Sequence, residues 1–174
     1  YWVSYADMVV LAEGTPKVVM AAESKGFKLA PSELAAAIGP KTRMVILNSP
    51  SNPTGATYSE AEMAAIGRVL AKHPEVSVLV DDVYEFIRYD GKRPRHLLAL
   101  EPSLRDRTVI ANSVSKTYAM TGWRIGYAAG PAPLIGAVSM LQGQQTSNPS
   151  SIAQAAAAAA LTGPQDAFDP MVAE

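Results

Sequence analysis

The apolar positions of this chain change period repeatedly, and the changes divide it into short alternating elements. From Trp2 to Ala12, Tyr5, Met8, Val9 and Leu11 recur near helical spacing, and Gly14 stops the run. Lys17-Val18-Val19-Met20-Ala21 reads as a strand. Pro31 opens a short helix that runs to Ile38 and ends before Gly39-Pro40. Met44-Val45-Ile46-Leu47 is a continuous apolar run of the kind found in buried strands. The clearest helix runs from Ser59 to Lys72: Ser59 is a capping residue, Glu60 and Glu62 suit its positive end, and His73-Pro74 stops it. Val78-Leu79-Val80 predicts a second buried strand running into Asp81, followed by a helical turn near Val83–Ile87 and a polar loop through Asp90-Gly91-Lys92-Arg93-Pro94.

The third buried strand, Arg107 to Ala111, leads into a polar segment, and Arg124 to Gly130 reads as a fourth. The fourth follows too closely for a helical crossover, so it is expected to be antiparallel. Helices follow at about Pro133–Gln142 and Ser150–Leu161. The alternation predicts an α/β fold, a three-layer α/β/α sandwich with a mainly parallel sheet.

Composition narrows the class. With 174 residues, 48% apolar and 18% charged, the chain has enough apolar sequence for one sizeable core. A net charge of −1 with interspersed signs argues against a nucleic-acid or membrane-surface partner. Cysteine is absent and only His73 and His96 are present, so disulfides and a thiolate or histidine metal cluster are not expected. His73 reads as a helix end and His96 as part of a basic loop. No segment has the pattern of a signal peptide or a membrane span, and the Ala155–Ala160 run is too short to be one.

Candidate chemistry lies at the strand exits. Asn48-Ser49-Pro50-Ser51-Asn52-Pro53-Thr54-Gly55 follows the first apolar strand, Asp81-Asp82-Val83-Tyr84 ends the second, and Ser113-Val114-Ser115-Lys116 follows the third, with Arg124 eight residues beyond Lys116. In open α/β sheets ligands bind outside the carboxyl ends of the strands. A lysine amine forms a Schiff base with an aldehyde. An arginine fork with neighbouring hydroxyls binds a phosphate from several directions. An aldehyde and a phosphate on one small molecule describe pyridoxal 5′-phosphate (PLP).

In that order and combination, Asn-Pro-Thr-Gly, Asp-x-x-Tyr and Ser-x-Ser-Lys with its arginine resemble the class I/II aminotransferase family of fold-type I PLP enzymes, nearest its bacterial aspartate branch, from which some members also accept prephenate. The resemblance runs from Tyr1-Trp2-Val3-Ser4-Tyr5 to about Leu161, and Gln144–Gln154 shares the features of that branch. It implies that Lys116 is the Schiff-base lysine and proton shuttle, that Asp81 partners the pyridinium nitrogen, and that Tyr84 and Asn52 serve the cofactor's 3′-oxygen. Asn52 would also approach the substrate carboxylate. Ser113, Arg124 and Ser115 would hold the phosphate, and Trp2 would stack on the ring and line the amino-acid site.

It further implies ping-pong transfer of an amino group from an L-amino acid, foremost aspartate, to a 2-oxo acid, foremost 2-oxoglutarate, in a cytoplasmic homodimer. Residues 1–174 would form the central part of the PLP-binding large domain, without the N-terminal segment and the small C-terminal domain. The Asn52-Pro53 bond is expected to be cis, and Asp82 to face away from Asp81. Other chemistry on the same scaffold stays open: an aromatic or branched-chain transaminase, a β-lyase, a decarboxylase, or the ligand-sensing domain of a PLP-binding transcription regulator.

Overall fold

A computed structural model describes residues 1–92, 95–166 and 168–173. Its centre is a four-stranded sheet in the order β1-β2-β3-β4, made of Met44–Asn48, Ser77–Asp81, Thr108–Ser113 and Gly126–Ala129. β1, β2 and β3 are parallel, and β4 returns antiparallel along β3. The α/β class, the mainly parallel sheet and the reversed last strand are those the alternating pattern predicts. Gly126, opposite Ser113, is needed there, because a Cβ would sit 2.9 Å from the Asn112 carbonyl oxygen.

Helices α1 to α8 are Ser4–Leu11, Pro31–Ala37, Glu60–Ala71, Leu97–Leu100, Val114–Thr117, Ala132–Gln145, Ser151–Thr162 and Phe168–Ala173. The core lies on one face of the sheet. Leu47, Val78 and Val80 project from the strands against Leu34 of α2, Ile66 and Leu70 of α3, Leu97 of α4, and Leu104 of the turn after α4. Val78 and Val80 alternate with half-buried Leu79 and Asp81, as the period-two pleat requires. Beyond this core, α5 meets α7, which buries Ala153 and Ala157.

One sequence expectation fails. Residues Lys17–Ala21 form no strand, because the segment finds no ladder partner among the described residues and most of it stays exposed. Lys17 instead reaches the end of α2, donating to the Ala37 carbonyl at 2.6 Å. Apolar and β-branched composition favours a strand only where a sheet edge is there to receive it. The turns at Leu97–Leu100 and Pro102–Arg107 and the last helix, α8, are additions to the expected elements. In the expected polar loop, Arg93 and Pro94 lie outside the described residues.

Helix α3 places the packed layer and is fixed at both ends. Ser59 accepts from the Glu62 amide, and Glu62 accepts from the Ser59 amide at 2.8 Å, closing a reciprocal cap. At the other end, the Arg107 guanidinium donates to the Leu70 carbonyl at 2.7 Å and to that of Val76. Gly67 lets α3 approach the end of α4: a Cβ there would lie 2.9 Å from Glu101 Cβ and 3.2 Å from Leu97 Cδ1.

Two outcomes follow. Gly67→Ala raises helix propensity yet should destabilise the protein by about 1 kcal/mol or more, because the nearest atom is a Cβ with no freedom to swing away; urea unfolding measures it. The Lys28 ammonium and the Ser59 amide hold the Glu62 carboxyl down at about 2, against an ordinary value of 4.5. A lowered folded-state pKa stabilises fully above the ordinary value, and the benefit is lost as pH falls through the folded one. Glu62→Gln should therefore be less stable than the parent near neutral pH, by under about 1 kcal/mol because the pair is partly exposed, and the two should converge as pH falls from 4.5 toward about 2.

Candidate functional site

The carboxyl ends of β1, β2 and β3 open into a cleft of about 440 Å³. Among its walls stand Trp2, Asn52, Asp81, Tyr84, Ser113, Ser115, Lys116 and Arg124, so every site residue expected from the sequence lines one cavity. The size suits a small organic ligand.

Asp81 closes β2 and is held on three sides. The Tyr5 hydroxyl donates to its Oδ2 at 2.5 Å, the Val83 amide donates to its Oδ1 at 3.2 Å, and the Asn48 side-chain amide donates to its backbone carbonyl at 2.9 Å. Burial, and then the Asp81 carboxylate, push the Tyr5 phenol far above its ordinary pKa, so it remains a donor. Tyr5 also meets Trp2 edge to face, with ring centroids 5.8 Å apart, which ties the aromatic wall to the carboxylate.

The Asn52 turn is closed by its own backbone, Gly55 N–H to Ser51 carbonyl at 2.7 Å and Ser51 N–H to Ala56 carbonyl at 3.0 Å. The Asn52-Pro53 bond is cis, as expected, and so is Ser49-Pro50.

Lys116 sits in α5, directly after β3, with its Nζ 5.8 Å from the centre of the Tyr84 ring. No carboxylate pairs with it among the described residues, which keeps its amine available to a ligand. The Ser113 hydroxyl accepts from the Ser115 amide at 2.9 Å and lies 2.8 Å from both the Ser115 hydroxyl and the Ile125 carbonyl oxygen. A carbonyl can only accept, so the single Ser113 proton serves Ile125 and the Ser115 hydroxyl donates to Ser113, which fixes both hydroxyls at the cleft wall. Arg124 adopts a left-handed backbone, φ 52°, and donates to the Thr121 carbonyl at 2.8 Å. A guanidinium and paired hydroxyls on the cleft wall can together seat an anion.

The neighbouring carboxylate faces the other way. Asp82 is buried, on the packed side of the sheet, where its Oδ2 lies 2.9 Å from His96 Nε2, off the axis of a linear hydrogen bond. His96 Nδ1 accepts from the Leu98 amide at 3.1 Å and so caps α4. Its sequence position suggested only a basic loop. Glu85 shares this region. Burial raises its carboxyl above the ordinary range, against the opposing hydrogen bond from the Asn112 amide.

Tyr5 and Asn48 are site residues that motif reading passed over. Tyr5 counted toward a helical period and toward the family-like opening but was given no role, although its spacing of three from Trp2 would have put both on one helix face. Asn48 stood within the quoted motif as its first residue, with no role.

The chain matches the family model described as "Aminotransferase class I and II" over residues 1–174. It is 57% identical over 166 residues to the aspartate/prephenate aminotransferase of Cereibacter sphaeroides, covering 95% of this chain and 42% of that protein. The crystal structure of the aspartate aminotransferase from Rhizobium meliloti superposes with a TM-score of 0.96 at 53% identity, covering 99% of this chain and 43% of that one. The aromatic aminotransferase from Pyrococcus horikoshii gives a TM-score of 0.93 at 37% identity, covering 99% of this chain and 46% of that one. The chain thus spans less than half the length of the relatives it matches, and no described helix is long and apolar enough to cross a membrane. Sequence and fold agree throughout its length: the chain belongs to the class I and II aminotransferase family.

Proposed function

We propose that this chain is the central, cofactor-binding part of the large domain of a PLP-dependent aminotransferase, which moves an amino group between an L-amino acid, foremost aspartate, and a 2-oxo acid, foremost 2-oxoglutarate. The observation that carries the reading is the convergence of Lys116, Asp81, Tyr84, Asn52, Trp2 and the Ser113–Ser115–Arg124 group on one cleft. The donor set fits PLP: an amine with no ion-pair partner among the described residues for the aldehyde, a fixed carboxylate for the ring nitrogen, an amide and a phenol for the 3′-oxygen, an indole for the ring face, and hydroxyls with a guanidinium for the phosphate.

When bound, the cofactor supplies an electron sink for the charge that develops at the substrate Cα. The chain's own residues do the rest. Asp81 holds the proton on the ring nitrogen, and Tyr5 and Val83 hold Asp81. Lys116 Nζ would hold the cofactor through its aldehyde and, once free, would be the base that takes the proton from the substrate Cα. Asn52 and Tyr84 orient the ring through its hydroxyl oxygen, Trp2 excludes water from one face, and Arg124 with Ser113 and Ser115 keeps the phosphate still while the bonds at the other end change. Both half-reactions use this one site, so ping-pong kinetics are expected.

A cytoplasmic homodimer completed by an N-terminal segment and a small C-terminal domain is part of the proposal. The 42% share of a relative's length supports it, as do the exposed Leu134, Met140 and Leu141 of α6. The likeness to an aromatic aminotransferase favours a second reading, in which the donor is aromatic. A screen of aspartate, phenylalanine and tyrosine against 2-oxoglutarate separates the two by kcat/KM.

In the complete protein, Lys116→Ala should reduce turnover by about 10⁴-fold or more. Borohydride reduction of the loaded enzyme followed by peptide mapping should find the cofactor on Lys116, and labelling of another lysine refutes the assignment. Asp81→Asn should lower the half-reaction rate by about 10²–10³-fold with the fold intact, since an amide cannot hold the ring proton by charge. Asp82→Asn, on the opposite side of the sheet, should cost under about tenfold. Stopped-flow absorbance with cofactor content measured in parallel tests the pair, and a reversed order would mean that the wrong aspartate has been chosen.

A further inference from the structure

Asn48 is the last residue of β1 and stands opposite Asp81, the last residue of β2, in the parallel register. Past this pair the two strands separate: β1 turns into Ser49-Pro50, and the Asp82 amide bonds instead to the Ala111 carbonyl of β3 at 2.9 Å. The Asn48 side chain spans the opening. Its Nδ2 donates to the Asp81 carbonyl at 2.9 Å, and its Oδ1 accepts from the Asn52 amide at 2.9 Å. A primary amide carries a donor and an acceptor on one rigid plane, so it can hold both partners at once. A carboxylate would set an oxygen against the Asp81 carbonyl, and a hydroxyl is too short to span both.

The two groups it ties belong to opposite sides of the proposed ligand. Asp81 serves the ring nitrogen and Asn52 serves the ring hydroxyl oxygen. On an aromatic ring these positions are a fixed distance apart, so the protein has to fix the same separation between a strand end and a turn. We propose that Asn48 is a positioning residue that sets the distance between Asp81 and Asn52 and so matches the site to the ring. This rests on the PLP reading given above.

The test uses the complete protein, stripped of cofactor and then titrated with PLP. The variants are Asn48→Ala and Asn48→Ser, the second keeping a polar group at a half-buried position. Loss of the two bridging bonds should raise the PLP dissociation constant about tenfold. The pH midpoint of the bound cofactor's visible absorption should move by at least about half a pH unit, because the carboxylate is no longer held in line with the ring nitrogen. In the half-reaction with aspartate, kcat should fall by a larger factor than KM rises.

The decisive comparison is a double-mutant cycle. In an Asp81→Asn background, Asn48→Ser should add little to either the loss of affinity or the shift in midpoint, because the group it positions is gone. Unchanged affinity and midpoint in both single variants overturn the proposal, as do fully additive effects with Asp81→Asn. A fall in the unfolding temperature of the cofactor-free protein with an unmoved midpoint, or failure of both variants to fold, assigns Asn48 to structure alone and also overturns it. If the unmodified complete protein takes up no PLP, the reading of the site itself fails, which is a separable result.

Discussion

Alternation along β2 decides where each chemical group of this protein can act. β2 is paired on both sides, so its register cannot slip without turning Val78 and Val80 out of the core. That burial fixes Asp81 on the cleft side and Asp82 on the packed side, although the two carboxylates are adjacent in sequence. Asp81 then finds Tyr5 and the Val83 amide, and Asp82 finds His96. The core thus does more than stabilise the chain: its apolar contacts choose which of two chemically identical side chains faces the cleft.

The two sides of the sheet differ in how they treat polar groups. On the packed side, polar atoms are enclosed, and Glu85 shows the effect in its raised carboxyl pKa. On the cleft side they are aimed. Lys116 faces the Tyr84 ring, Arg124 donates to local backbone and Ser113 bonds Ser115, while all four line the cleft. Preorganised polar groups of this kind spend little on rearrangement when the ligand arrives.

Much of this was legible in the sequence, for identifiable reasons. The buried strands read clearly because they are short apolar runs that end in polar residues, and Ser59 marked the start of α3 as a capping residue followed by Glu60 and Glu62. The site residues read clearly because they come in motifs at strand exits. Failures arose where the determining partner was distant in sequence. Residues 17–21 have strand composition but no partner edge among the described residues. Tyr5 reaches Asp81 across 76 positions, and Asn48 reaches it across 33. His96, in a stretch of mixed basic residues, gave no sign of a buried carboxylate folded against it. Local pattern reveals elements and motifs, whereas links between them depend on topology.

At Arg124 the backbone and the cleft make opposite demands. A non-glycine residue at φ 52° costs on the order of 1 kcal/mol, which glycine at the same position would largely avoid. Glu13, Phe27, Ala119 and Ser147 share this backbone region, so the fold accepts its cost at several places. Of these five residues only Arg124 lines the cleft, so backbone relief and the cleft's guanidinium are set against each other at one position. A glycine there would relax the backbone and take the arginine out of the cleft.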